Sequence, residues 1–353
     1  MRARAQFAIP GDLASLTGGY AYDREVMARA AAFGAELQHL PIPGGFPAPT
    51  RAELDETARV LRALPHDALL LIDGLAYGAF TPDLLALLPA KTIALVHHPL
   101  AYEAGLSPQD AARLHESETR ALARAVHVLV TSPSTRTCLV EDFDVPAAKI
   151  DVAIPGVHRA ARARGSQGAP HLLAVGSVTP RKGHDVLVDA LSGVAHLDWR
   201  LTIAGSLARA PDHAGALASN IEARGLAGRI SLAGEVADAE LEQLYASADV
   251  FVMPSLYEGY GMALAEAMAR GLPIVATTGG AAAETVPDDA ALKVAPGDAS
   301  ALRDELSRLL GDAALRARLA DTSWAAGQAL PSWDDTARIV AGVLVRVQEG
   351  NSA

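Results

Sequence analysis

Residues 250–285 read VFVMPSLYEGYGMALAEAMARGLPIVATTGGAAAET. An apolar run leads into Pro254 and Ser255, then a turn bearing Gly259 and Gly261, then a helix whose first turn follows at once, then Pro273 and a second aliphatic run. A short apolar run bounded by turn residues is the pattern of a strand buried on both faces. A helix between two such strands is the crossover of a parallel sheet. The loop after the first strand lies at the strand's carboxyl end, where open α/β sheets take their ligands.

The same alternation extends in both directions. Upstream of this stretch it predicts strands at 171–175, 200–204 and 230–232 and helices from about His184 and over 239–246; within it, strands at 250–253 and 273–276 flank a helix near 262–269. In the first half it predicts strands at 68–72, 92–96, 126–130 and 150–154. Helices are expected at 53–64, where Leu54, Ala58, Leu61 and Leu64 share a face, and at 109–125, with mixed charges that suggest a solvated surface. Residues 159–170, RAARARGSQGAP, are small, polar and basic without periodicity, a linker composition. The chain of 353 residues then divides as its length predicts, into two domains of ordinary size: 1–156, a linker at 157–170, and 171–332, with a final helix from Trp333 (333–353) returning to the first domain. A ligand site between two such αβ units is the default expectation.

Composition bounds the function. Half of the residues are hydrophobic and 20% are charged, which supplies a core and excludes wholesale disorder. A formal charge of -11 argues against a nucleic-acid coat, which needs a broad positive surface. The single cysteine, Cys138, forms neither an intrachain disulfide nor a zinc cage, as expected of a cytoplasmic protein. No signal-peptide core follows Arg2 and Arg4, and no aliphatic run approaches the ~20 residues of a membrane helix.

Two loops carry the candidate chemistry. Glu258 lies just before a helix and Glu266 two turns into it, with seven residues between. Both carboxylates can reach one elongated ligand and accept hydrogen bonds from its hydroxyl groups. The spacing is equally that of two exposed glutamates at a helix start, where negative charge is stabilised anyway. Residues 172–191, LLAVGSVTPRKGHDVLVDAL, end a strand at Gly176 and place Arg181 and Lys182 before a helix start, the makings of a diphosphate site or of a solvated basic turn. Lysine occurs only at 91, 149, 182 and 293, so Lys182 is more informative than a lysine usually is.

The RK pair after GSVTP, the string EGYGMALAE and the following ARGLPIVATTGG together resemble the retaining nucleotide-sugar glycosyltransferases of family four. The match covers most of 170–290. More loosely, LTGGYAYDREV at 16–26 resembles the family's glycine-rich first loop, and VAIPGV at 152–157 its entry to the interdomain segment. Met262 and Ala263 stand where the family often has leucine and proline, and Gly156 where asparagine is usual.

The resemblance implies the GT-B fold, two Rossmann-like αβα domains facing each other across a cleft, with an acceptor side at 1–156 and a donor side at 171–332. It implies that Arg181 and Lys182 neutralise the diphosphate of a nucleotide-diphosphate sugar and that Glu266 binds its ribose. Glu258 would touch the transferred sugar, helped by the amides of Gly261, Met262 and Ala263. Gly18 and Gly19 would close on the phosphates, and His97 would lie near the donor sugar, His98 being the less favoured of an HHP turn that is otherwise structural. The activity implied is a hexosyltransferase, UDP-hexose being the commonest donor in the family, with a saccharide or other hydroxyl acceptor, as in the synthesis of cell-surface glycans or glycosides.

No obligatory cofactor or metal is implied, and activity should survive EDTA. The one Asp-x-Asp string, Asp142-Phe143-Asp144, reads as a turn before Pro146. An epimerase on the same fold and a non-catalytic sugar-nucleotide binder are the competing readings. A dinucleotide oxidoreductase or P-loop NTPase lacks its glycine spacing here. The helix candidate at 23–38 balances Arg24 and Arg29 with Asp23, Glu25 and Glu36, which does not favour a membrane-binding face. Transient membrane contact through Arg2, Arg4 and the basic linker stays open, and the oligomeric state is not legible.

Overall fold

The computed structural model describes residues 2–350. The chain divides into two units, Met1–Gly156 with Pro331–Ala353, and Val157–Leu330. Each contains one six-stranded sheet whose neighbouring strands are all parallel.

The strands of the first unit are β1 (Ala3–Pro10), β2 (Ala35–Ile42), β3 (Leu69–Asp73), β4 (Lys91–Val96), β5 (His127–Val130) and β6 (Ile150–Val152), in the order β2-β1-β3-β4-β5-β6. β3 shows why a continuous aliphatic run is a strand here. Leu70 and Ile72 join one core with Ala94, Val96, Val128 and Val130, and the alternate Leu71 is equally buried on the other face. Helix Trp333–Gln348 packs against helix Gly18–Arg29, β1 and β2 of this unit. Its start is fixed by a capping box in which the Ser332 hydroxyl accepts from the Asp335 amide and the Asp335 carboxylate accepts from the Ser332 amide.

The second unit continues with β7 (His171–Val175), β8 (Arg200–Ala204), β9 (Ile230–Gly234), β10 (Val250–Met253), β11 (Ile274–Thr277) and β12 (Ala291–Val294), in the order β12-β11-β10-β7-β8-β9. The period of two sorts its core. Leu172, Ala174, Val250, Val252 and Val275 face one layer of helices, whereas Leu173, Phe251, Met253, Ile274 and Ala276 face the other. In each sheet the order reverses beside the first strand of the unit: between β1 and β3 in the first, between β7 and β10 in the second. At such a reversal the crossovers leave to opposite sides and open a crevice at the strands' carboxyl ends.

Three expectations are corrected. The helix expected at 23–38 ends at Arg29, is extended by a 3-10 turn over Ala30–Phe33, and stops at Gly34, whose φ of 94° closes it; Ala35–Ile42 is then a strand. The helix Pro108–Arg124 is not merely solvated, because Leu114, Glu118, Ala121 and Leu122 are buried. Residues 157–170 form no regular element, yet they are laid along the second unit rather than spanning freely. The amides of Ala163, Arg164 and Ser166 donate to the Arg270 and Ala246 carbonyls and the Asp249 carboxylate, and Arg159 donates to the Gln328 carbonyl. A polar composition without periodicity reports the absence of an element, not the absence of anchoring.

Candidate active site

In the second unit the reversal point gathers the residues that the sequence singled out. After β7 the chain makes the turn Pro180–Lys182 and enters helix His184–Ser192. Gly183 joins them at φ 63°, and a Cβ there would stand 2.2 Å from the Pro254 carbonyl oxygen, so a side chain is excluded by both conformation and space. The Leu256 amide donates to the Arg181 carbonyl at 2.8 Å and ties the loop after β10 to the loop after β7.

Within this frame Lys182 Nζ donates to Glu258 Oε1 at 2.6 Å, and the Ser255 hydroxyl donates to the same oxygen at 2.6 Å. Arg181 Nη1 donates to the Tyr257 carbonyl at 2.8 Å and lies 3.5 Å from Glu258 Oε2. Glu258 is 5% exposed, so it is neither of the exposed glutamates that spacing alone allowed; it is a buried counter-ion beneath two cations. Burial alone would raise its pKa, but the charges of Lys182 and Arg181 and the hydrogen bonds from Lys182 and Ser255 overcome it and hold the carboxyl down at about 2. Two cations on one carboxylate leave a surplus positive charge, the condition for holding an anion.

Glu266 lies on helix Met262–Met268. Its Oε2 accepts from the Tyr245 hydroxyl at 2.7 Å, and Arg270, stacked over the Tyr245 ring at 4.5 Å, also meets Glu242. Burial raises the Glu266 pKa against the Tyr245 hydrogen bond and the Arg270 charge. Gly261 starts that helix at φ 90° with no side-chain cap, leaving the amides of Met262 and Ala263 without an acceptor in the preceding turn. Ser255, Tyr245 and Arg270 escaped the sequence reading because nothing in their spacing marks them. The same is true of His184, buried at 2% exposure and pushed down to about 3 by burial and then by Lys182.

The first unit has its own cluster at the reversal between β1 and β3. Gly18 and Gly19 open helix Gly18–Arg29, capped by the Thr17 hydroxyl. A Cβ on Gly19 would reach within 3.4 Å of the His97 ring, so the loop lies directly on the imidazole. His97 follows β4, with Nε2 3.5 Å from Asp23 Oδ1, and Tyr22 meets its ring edge-on at 5.2 Å. Asp73, at the end of β3, accepts from the Leu75 amide at 2.7 Å. His98 instead pairs with Glu103 at 2.9 Å. Asp23 and Asp73, both buried, complete this cluster, and nothing in the sequence marks them: Asp23 sits among Arg24 and Glu25 as surface charge would. Elsewhere in this unit the Asp142 carboxylate accepts from the Tyr102 hydroxyl at 2.7 Å, and Phe143 between the two aspartates is buried.

Known proteins resemble both the sequence and the fold. Residues 169–312 match the family model described as glycosyl transferases group 1. A D-inositol 3-phosphate glycosyltransferase of Paenarthrobacter aurescens is 33% identical over 54% of this chain and 49% of its own length. An MMP alpha-(1->4)-mannosyltransferase of Mycolicibacterium hassiacum is 29% identical over 83% of this chain and 74% of its own. The chain thus spans about half the length of the first of these curated relatives. Among solved structures, a sucrose-phosphate synthase of Thermosynechococcus elongatus superposes over 99% of this chain and 100% of its own with a TM-score of 0.84 at 22% identity. Anabaena HepE in complex with UDP and glucose does so over 98% and 100% with a TM-score of 0.77 at 18% identity.

Two doubly wound six-stranded units in one chain, superposing on these structures, define the GT-B class. The segment that carries Arg181, Lys182, Glu258 and Glu266 is the one that matches the group 1 glycosyltransferases. Among its described residues no helix is long and apolar enough to cross a membrane.

Proposed function

We propose that this protein is a retaining hexosyltransferase that takes its sugar from a nucleoside-diphosphate donor, UDP-hexose foremost, and delivers it to a hydroxyl of a saccharide. The observation that carries the reading is the convergence of Arg181 and Lys182 on Glu258 at the reversal point of the second sheet. The UDP and UDP-glucose complexes of HepE, a fold neighbour, favour the donor class. The mannosyltransferase and inositol-phosphate glycosyltransferase relatives favour transfer to a polyol or sugar.

The chemistry follows from the leaving group. Breaking the anomeric bond puts negative charge on the nucleoside diphosphate. Fixed cations stabilise that charge more in the transition state than in the ground state. Arg181 and Lys182 do this work, with Glu258 fixing both at a set distance beneath the diphosphate and close to the sugar. Glu266, oriented by Tyr245, accepts from the ribose hydroxyls, and the amides from Gly261 to Ala263 face the sugar end. Gly18, Gly19 and His97 are the first unit's contribution. The leaving phosphate takes the acceptor proton, so no separate base and no metal is needed.

A thermal-shift screen of UDP, GDP and ADP reads the donor class by linkage, with the largest rise expected for UDP. Lys182→Ala should cut turnover roughly 10²–10³-fold; near-wild-type turnover in a steady-state assay overturns the assignment. Turnover should persist in EDTA, and a complete loss restored by added metal contradicts the mechanism. Incubation with sugar nucleotides and no acceptor separates transfer from epimerisation, which would appear as an epimerised donor.

A further inference from the structure

Asp23 presents an unsolved problem in buried charge. Its side chain is wholly buried, and neither carboxylate oxygen accepts a hydrogen bond from any described residue. A buried carboxylate left in that state is strongly destabilising. Its polar neighbours are His97 and Asp73, and the three side chains bring a ligand-type atom each to within 4.8 Å of one another. Asp73 is itself 2% exposed. Two carboxyl groups so close in a dry site do not both ionise. A protonated carboxyl gains a hydroxyl donor, so one proton on Asp73 gives Asp23 the partner it lacks. Burial, and then the charge of Asp23, push Asp73 up to about 7, in agreement with that placement.

The remaining contact of Asp23 is the imidazole. His97 Nε2 is buried and faces Asp23 within ion-pair range, while the side chain as a whole is 22% exposed. Gly19 lies against the Cδ2–Nε2 side of the ring, and Tyr22 meets it at an interplanar angle of 84°. We propose that Asp23 is the positioning residue for His97, and that Asp73 serves as a neutral acid that hydrogen bonds to Asp23 and keeps the negative charge on it. The relay Asp73–Asp23–His97 then holds the ring in one orientation with Nε2–H inward and maintains it as a cation.

The groups facing the ring support this. Burial disfavours the imidazolium, but the adjacent Asp23 carboxylate raises its pKa overall. From its own helix Tyr22 contributes a phenol that burial keeps neutral, and helix Trp333–Gln348 contributes the uncharged Trp333 ring behind Tyr22. The Thr131 hydroxyl donates to the His97 carbonyl at 3.1 Å and fixes the backbone.

The proposal rests on His97 being a reacting-side group, so its test has a readout independent of activity. Heteronuclear NMR of the imidazole nitrogens, with the His97 signals assigned from His97→Gln, reports charge and tautomer in the full chain. In the wild type the imidazolium should persist above its ordinary pH range. Asp23→Asn should lower the midpoint by about one unit or more, and should lower kcat at least about tenfold with the donor KM little changed. Asp73→Asn should leave the His97 midpoint near its wild-type value, because the amide donates to Asp23 as the protonated carboxyl does. Thermal midpoints confirm that each variant is folded.

An unchanged His97 midpoint in Asp23→Asn, or equal effects of the two variants, overturns the proposal. So does stoichiometric binding of Mn²⁺ to the wild type after EDTA treatment that is lost in Asp23→Asn, since a cation would then bridge the cluster in place of the proton. If Lys182→Ala retained full turnover, the glycosyl-transfer reading would fall while the NMR result stood, so the two failures are distinguishable.

Discussion

The two reversal points have the same topology and opposite inventories. Beside β7 and β10 two cations share one carboxylate. Beside β1 and β3 two carboxyl groups share one imidazole. The sheet order places a crevice in both units, and the residues at the loop tips decide what each crevice is for. The second unit keeps a surplus of positive charge and suits an anion. The first, with a proton on Asp73, is internally neutral, and its product is an oriented ring.

The comparison is tested most severely at Lys182. Removing it leaves buried Glu258 with the Ser255 hydrogen bond and, as its remaining counter-charge, the longer Arg181 contact, and losing one partner of a buried pair costs about 3–5 kcal/mol. Lys182→Ala should therefore lose stability as well as turnover, and adding Glu258→Gln should return most of the stability and none of the turnover. A chemical-denaturation cycle with activity measured alongside checks both. Recovery of activity in the double variant would mean that the cations serve only Glu258.

The same carboxylate predicts a pH effect. Its pKa is held below the ordinary 4.5 at about 2. Its contribution to stability is therefore whole above 4.5 and is lost as the pH falls toward 2. Glu258→Gln should flatten the acid limb of the stability profile in that window.

The first unit offers a smaller test. Glu118 is 3% exposed and accepts from the amides of Leu100 and Ala101 at 2.8 and 2.9 Å, pinning the turn that follows His97. Glu118→Gln turns an NH₂ toward one of those amides and should cost about 1–3 kcal/mol of unfolding free energy. The smallest expected effect is at Glu266. Glu266→Ala removes one ligand contact and frees Tyr245, and it should raise the donor KM about tenfold, the equivalent of ~1.4 kcal/mol, with less change in kcat.

What the sequence reveals depends on where the cause of each feature lies. β3, β7 and β10 are legible because strands buried on both faces must be aliphatic throughout. β2 and β12 lie at sheet edges and carry no such run: AELQHLPI is exposed or half-buried at most positions, and ALKV is short. β1 is no plainer, since its ARAQFAIP interleaves Arg4 and Gln6 with small alanines before the aliphatic end. Arg181, Lys182, Glu258 and Glu266 stand out because charged groups beside glycines at a strand's end are chemically conspicuous. Asp23 does not, since a charged residue among Arg24 and Glu25 reads as solvated surface. It meets Asp73 from the end of β3 and His97 from the loop after β4, and no local pattern encodes that meeting.

The return of helix Trp333–Gln348 to the first unit has a consequence for biosynthesis. The second unit is an insertion, entered after Gly156 and left before Pro331. The crossing is tight, since a Cβ on Gly156 would lie 2.2 Å from the Trp333 amide nitrogen. The face of the first unit that receives Ala337, Val340, Ala341 and Leu344 stays uncovered until the ribosome has made Trp333–Gln348. The second unit, continuous in sequence, can complete its core while the first is still waiting for its last helix. The half that is translated first is thus the half that finishes last, and it is the half a chaperone would have to shield.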